Sequence, residues 1–346
     1  MLVTISQYHP FLSKEKEKYD FVHNIISILC GRSPEVQIEL LSNDNSYTQH
    51  LPPGISFVQI DIPRLLKPMA RKKFISDVKS IVKKKLPDLL ISGGAPATGL
   101  PIPEYMLVTD LQQTTSDELR KVNRWIVPSV YMQNILVKQG IDAEGVIVAR
   151  LLPGELYAPA TWEERESLKQ EVTGGKEYFI VNAEDTSGKR IVNVLKSFSL
   201  FKKWQRSNMQ LLLLNPEDTP KINALLQTYK YRDDIKVVSS ATVPEQATFI
   251  KAAMAYICLP ENDITGCSTA MALQCNVPAI TYDIGAVKET GGEAVLYADP
   301  GNSEDIAGKM IKLYKDEKLR AQLIQRSKER IAALKLENGS VIFQKG

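Results

Sequence analysis

The stretch Pro260–Ile280, PENDITGCSTAMALQCNVPAI, begins as a polar loop, turns at Gly266 and continues as a helix-forming run from Cys267. Pro278 then opens a short apolar run. The order is that of a strand exit, a tight glycine turn, a helix N-terminus and the next buried strand. A helix N-terminus presents unpaired N–H groups and the positive end of its dipole to whatever lies in front of it. Gly266, Cys267, Ser268 and Thr269 are therefore a candidate anion-binding turn.

The same alternation extends in both directions. VQIELL, PDLLISG, EYMLVTD and RWIVPS read as strands in the first half of the chain, and EYFIVN, MQLLLLN, IKVVSS, AYICLP and VPAITYD in the second. Most are continuous apolar runs, the pattern of parallel strands covered on both faces by helices. Strands alternating with longer helical runs predict α/β units and doubly wound sheets, whose ligands bind at the carboxyl ends of the strands. Pro153, Gly154 and Pro159 break the pattern in LLPGELYAPATWEE, and the alternation restarts at Tyr178. We expect an N-terminal domain over residues 1–152, a C-terminal domain over 153–334 and a tail over 335–346 that returns towards the first domain.

The chain has 346 residues, enough for two domains, and a formal net charge of only +3, which implies no general nucleic-acid-binding surface. No run approaches the roughly 18 apolar residues of a membrane span, and the first residues lack the basic, apolar pattern of a secretory leader. Cytoplasmic localisation is the expectation. Cys30, Cys258, Cys267 and Cys275 form no CxxC pair and no metal-ligand spacing. Residues 64–85 carry nine Lys or Arg and one acid, Asp77, with Phe74, Val78, Ile81 and Val82 on one helical face. Two readings stand: a surface helix with a solvated basic side, or peripheral contact with an anionic membrane at its inner face.

The segment ETGGEAVLYADPGNSEDIAGKMIKLYKDEKLRAQLIQRSKERIAAL, Glu289–Leu334, resembles the closing segment of glycosyltransferase family 4, the group 1 glycosyltransferases. NVPAITYDIGAVKE and TVPEQATFIKAAMAYICLPENDITG resemble the segments before it. RWIVPSVYMQNILVKQGIDAEGVIVARLLPGELYAP resembles that family's last N-domain strand, helix and linker. The resemblance implies the GT-B architecture, an α/β fold of two Rossmann-like domains facing across a cleft. It implies a retaining enzyme that transfers a sugar from a nucleotide-sugar donor to a glycan or lipid-linked acceptor of the cell envelope or a polysaccharide. The donor is a substrate. No cofactor and no metal are implied, in keeping with the lack of a D-x-D motif.

By the same resemblance Lys189 is the cation on the donor diphosphate and the turn from Gly266 to Thr269 is the other half of the clamp; the family's Arg falls on Ala183 or Glu184, so one cation is missing unless Arg190 substitutes. Such a clamp stabilises the charge that develops on a leaving diphosphate. Glu289 belongs to the donor side. Asp263 and Met271 fall where the family carries two acids; Met271 leaves an apolar wall where ribose hydroxyls would meet a carboxylate. The family's N-domain histidine falls on Thr109, beside Asp110, which is grouped with Lys189 and Asp263 as catalytic. His9, Gly93 and Gly94 are the remaining acceptor-side candidates, the two glycines as a turn of close backbone approach. The missing second acid, Arg and His also admit a noncatalytic relative that binds or scaffolds an active transferase. Sugar-nucleotide epimerisation would need positioned acid and base groups that the sequence does not display.

Overall fold

A computed structural model describes residues 1–8, 21–32, 35–49, 51–62, 69–94, 99–109, 119, 122, 124–183, 188–216 and 218–341. The chain forms two compact units, one of Met1–Leu151 with Leu336–Gly346, the other of Leu152–Lys335.

In the first unit the described elements run β1 (Leu2–Gln7), α1 (Phe21–Arg32), β2 (Gln37–Ser42), β3 (Ser56–Gln59), α2 (Ala70–Lys85), β4 (Leu89–Gly93), β5 (Glu104–Leu107), β6 (Arg124–Val127), α3 (Val130–Lys138) and β7 (Val146–Val148). The strands form one parallel sheet in the order β3-β2-β1-β4-β5-β6-β7. Every residue of β4 is buried, as continuous apolar patterning requires of a strand covered on both faces. Helix α2 lays Phe74, Val78 and Val82 on Leu41 and Leu90 of this sheet. The apolar stripe of the basic helix is thus consumed by the protein's own core. β7 lies where the sequence suggested only a linker; its three residues are too few for periodicity to reveal, and pairing with β6 makes them a strand.

In the second unit the order is α4 (Trp162–Thr173), β8 (Tyr178–Asn182), α5 (Gly188–Gln205), β9 (Gln210–Leu214), α6 (Thr219–Gln227), β10 (Ile235–Val238), α7 (Val243–Ala252), β11 (Ala255–Ile257), α8 (Cys267–Gln274), β12 (Ala279–Thr281), α9 (Val287–Gly291), β13 (Val295–Tyr297), α10 (Ser303–Lys315) and α11 (Glu317–Gly339). Its sheet is also parallel, ordered β10-β9-β8-β11-β12-β13. Helix α5 buries Ile191, Val194, Leu195, Phe198 and Phe201, a stripe at three- and four-residue spacing. Phe201 meets Phe179 and Tyr314 edge-on, with ring centroids 5.1 and 5.3 Å apart. Local signals start the helices: Thr161 and Glu164 form a reciprocal capping box on α4, and Asn302 caps α10 by accepting from Glu304 and Asp305 N–H groups.

The end of α11 belongs to the first unit. Asn338 accepts from the Arg150 N–H at 2.7 Å and donates back to the Arg150 carbonyl at 2.8 Å, while Glu337 pairs with the Arg150 guanidinium. Asn24 of α1 donates to the same carbonyl at 2.8 Å.

Candidate functional site

The strand order reverses between β8 and β11, which lie side by side and parallel. The helices that follow them, α5 and α8, start on either side of this switch point, the place where open α/β sheets bind ligands. Lys189 stands exposed in the first turn of α5, next to that edge. The two strand exits are joined by a side-chain contact: buried Asn182, the last residue of β8, donates to Ser268 Oγ at 3.4 Å.

The loop after β11 is held by its own polar groups. Asp263 Oδ1 accepts from Thr265 N–H at 2.9 Å, Thr265 Oγ1 at 3.1 Å and Gly266 N–H at 2.7 Å. Thr265 Oγ1 in turn accepts from Cys267 N–H at 3.1 Å. The amides of Gly266 and Cys267 thus point at Asp263 and Thr265. The contribution of Asp263 seen here is to shape the turn. The Asp-Ile-Thr-Gly run carries the sequence signal for such an arrangement, since Asp and Thr side chains commonly bond to backbone amides two or three residues on.

Two glycines admit the close approach. Gly266 has φ +71°, and a Cβ there would lie 2.8 Å from the Thr290 Cβ. Gly285 has φ +53°, and a Cβ there would lie 3.0 Å from the Asp263 carbonyl carbon. The Asp263 carbonyl also accepts from Ala286 N–H at 2.8 Å, so the turn before α8 and the turn before α9 are tied together.

Arg190 donates from Nη1 to the Leu259 carbonyl at 3.0 Å and to the Pro260 carbonyl, and its guanidinium lies 5.1 Å from the Tyr282 ring centroid. It braces the β11 exit, a role that spacing does not disclose. Glu289 is half-buried in α9, where its carbonyl and that of Thr290 accept from Arg330 of α11. Cys267 is buried. So is Thr269, wholly. Met271 is 6% exposed, so its side chain presents little surface in this structure. Burial also pushes the Cys275 thiol, at the end of α8, up to about 12, with Lys251 opposing.

The first unit has its own switch point, between β1 and β4. Gly93 ends β4, and a Cβ there would lie 2.8 Å from Gln7 Cδ. Gly94, at φ +73°, would bring a Cβ to 3.0 Å from the Tyr8 carbonyl. Arg71 donates to the Gly94 carbonyl from Nε at 3.1 Å and Nη2 at 2.8 Å. Tyr8 packs on Phe74 with centroids 5.4 Å apart, and burial raises its phenol pKa against the opposing charge of Arg71. Thr109 is exposed just beyond β5. His9 and Asp110 lie outside the described residues. Arg71 and Tyr8 carried no motif.

Two parallel sheets, each reversing its strand order once and each carrying glycine-built turns at the switch point, define the class of this protein. Residues 163–330, all within the second unit, match the family described as Glycosyl transferases group 1. Among solved structures, a glycosyltransferase from Rickettsia africae ESF-5 is similar, with a TM-score of 0.76 at 14% identity, covering 97% of this chain and 95% of its own. The Anabaena Alr3699/HepE protein in complex with UDP-glucose has a TM-score of 0.75 at 11% identity, covering 98% and 97%. WaaG, a glycosyltransferase involved in lipopolysaccharide biosynthesis, has a TM-score of 0.70 at 11% identity, covering 99% and 100%. These likenesses fix the fold as the two-domain GT-B glycosyltransferase architecture. No curated protein matches the chain in sequence.

Proposed function

We propose that the protein transfers a glycosyl group, with retention of anomeric configuration, from a nucleotide-sugar donor to a cell-envelope or polysaccharide acceptor. The observation that carries this reading is the pairing of two helix N-termini, those of α5 and α8, at the β8/β11 switch point of a unit that matches the group 1 glycosyltransferases. The UDP-glucose complex of the Anabaena protein, which shares the fold, supports a nucleotide sugar as the donor.

In this reading the donor diphosphate lies before α8, and Lys189 supplies the cation. The bond between the anomeric carbon and the diphosphate oxygen breaks with its electron pair leaving on the phosphate. The acceptor oxygen bonds to that carbon, and its proton passes to the departing phosphate. Charge grows on the diphosphate as this happens, and preorganised N–H groups with a lysine stabilise that charge most where it is greatest. Asp263, Thr265 and Arg190 act as positioning residues, since each fixes the backbone that carries the amides. Gly93, Gly94 and Thr109 are assigned to the acceptor side.

Helix α2 is assigned to peripheral contact with anionic lipid. Phe74, Val78 and Val82 are buried and Ile75 and Ile81 partly so, which makes this contact mainly electrostatic, through exposed Lys72, Lys83 and Lys84. Each such lysine contributes about 1 kcal/mol near the surface, and salt weakens the contact.

A second reading, a noncatalytic donor-binding subunit, is favoured by Met271 standing buried where a ribose-binding acid is expected. Release of free nucleoside diphosphate from a panel of nucleotide sugars, with and without acceptor glycolipids, separates the two. Turnover of one donor sustains the transferase. Binding of a nucleoside diphosphate without turnover of any donor sustains the subunit.

A further inference from the structure

At the other edge of the second sheet, before β9 and β10, a surface cavity of about 580 Å³ is lined by Lys202, Lys203, Arg206, Lys230, Tyr231 and Asp234, among others. It lies at the amino-terminal ends of the strands, whereas the candidate donor site lies at their carboxyl ends. Lys202 and Asp234 form a closed unit. The Lys202 ammonium pairs with Asp234 at 2.8 Å and donates to the carbonyls of Ser207 at 2.6 Å and Met209 at 3.1 Å. Three acceptors satisfy its three N–H groups, and the one acid in the lining is neutralised.

Lys203, Arg206 and Lys230 remain. All three are exposed, and none has an ion pair among the described residues. A helix C-terminus attracts cations, which accounts for Lys202 and Lys203 in the last turn of α5. It does not account for Lys230, which arrives from the loop after α6 and lies 5.3 Å from the Tyr231 ring centroid. Nor does it account for Arg206, which holds φ +50° just past the end of α5, a conformation usually left to glycine or asparagine. The wall also contains Ser207, whose hydroxyl is buried without a hydrogen-bond partner among the described residues. Three cations lining one cavity whose acid is already paired with Lys202, beside an unsatisfied donor, form a receptor for negative charge.

We propose that this cavity is a second anion site, taking a small soluble ligand that carries two or more phosphate or sulfate groups. The cations grip the anionic groups, and the Tyr231 face offers a platform for the ring or chain that bears them.

Calorimetric titration of the full chain with sodium tripolyphosphate at low salt tests this. Lys189→Ala serves as the background, so that binding at the donor end is reduced. Binding is expected to weaken at least tenfold in Lys203→Ala/Lys230→Ala and at least threefold in Arg206→Gly. Arg206→Gly is further expected to melt no lower than the parent, because glycine adopts the left-handed conformation without strain. Tripolyphosphate binding that is absent, or that is unchanged in these variants, overturns the proposal. Sedimentation with phosphatidylglycerol vesicles distinguishes a lipid source of phosphate: loss of vesicle binding in Lys203→Ala/Lys230→Ala with no tripolyphosphate binding in the parent overturns the soluble ligand.

Discussion

Gly266 and Thr290 approach so closely that the first has no room for a side chain: a Cβ on Gly266 would lie 2.8 Å from the Thr290 Cβ. This contact locks the turn before α8 against α9. Gly266→Ala adds a clash to the cost of φ +71°, about 1–2 kcal/mol for the left-handed backbone and about 1–3 kcal/mol for overpacking. The midpoint of urea unfolding is expected to fall accordingly. Thr290→Ala restores only part of the loss, because the Thr290 Cβ is itself too near.

Asp263 presents one oxygen to three donors, and an amide oxygen serves that purpose as well as a carboxylate oxygen. Asp263→Asn is therefore expected to melt close to wild type, whereas Asp263→Ala loses about 1–2 kcal/mol, as the removal of a cap does. A direct role of the negative charge in transfer would appear differently. Asp263→Asn would then lose kcat while keeping both stability and nucleoside-diphosphate affinity.

Lys189 is exposed, and nothing in the described fold leans on it. Lys189→Ala is expected to leave the melting temperature within the error of the measurement and to weaken nucleoside-diphosphate binding tenfold or more. A charge-assisted hydrogen bond contributes about 1.5–3 kcal/mol. Equal calorimetric affinities for the two proteins would remove Lys189 from the donor site.

Met271, at 6% exposure, has the surroundings of a core residue. Met271→Glu places a carboxylate among them, and the expected result is a loss of about 2–4 kcal/mol at neutral pH that lessens in acid, where the carboxyl is neutral. Tighter nucleotide binding with an unchanged melting temperature would instead show that this position opens onto the ligand.

Burial raises the Cys275 thiol from 9.0 to about 12, so the folded protein keeps a proton that the unfolded chain gives up. The stability linked to it is complete below pH 9 and is lost as the pH rises from 9 towards 12. At pH 10 that loss is about 1.4 kcal/mol. Urea unfolding under reducing conditions at pH 8 and pH 10 is expected to show this extra loss in wild type but not in Cys275→Ala, which has nothing to titrate.

The central strands were legible because they are buried on both faces, and burial on both faces is written as a short apolar run bounded by turn signals, as in YFIVN of β8 and LLISG of β4. Edge strands lack that mark. Ser56–Gln59, at the margin of its sheet, has no fully buried residue, and Val146–Val148 is three residues long. The helix N-terminus at Gly266 was legible from a single glycine in a polar loop. The use of its amides was not, because Thr265 and Asp263 draw them inward through contacts that depend on the folded turn. Arg190 illustrates the same limit. Its neighbours in space, Leu259, Pro260 and Tyr282, are about 70 to 90 residues away along the chain, and no local pattern encodes that distance.

The clasp between Arg150 and Asn338 sets an order of events during synthesis. The ribosome releases Arg150 early, but its partners Glu337 and Asn338 emerge only after every residue of the second unit. That unit is continuous in sequence and has all its strands before the clasp exists. The first unit must wait, holding the end of its last strand without the carboxylate and amide that finish it. Domains generally fold as they emerge, first come first completed. Here the order is inverted: the half begun first is finished last.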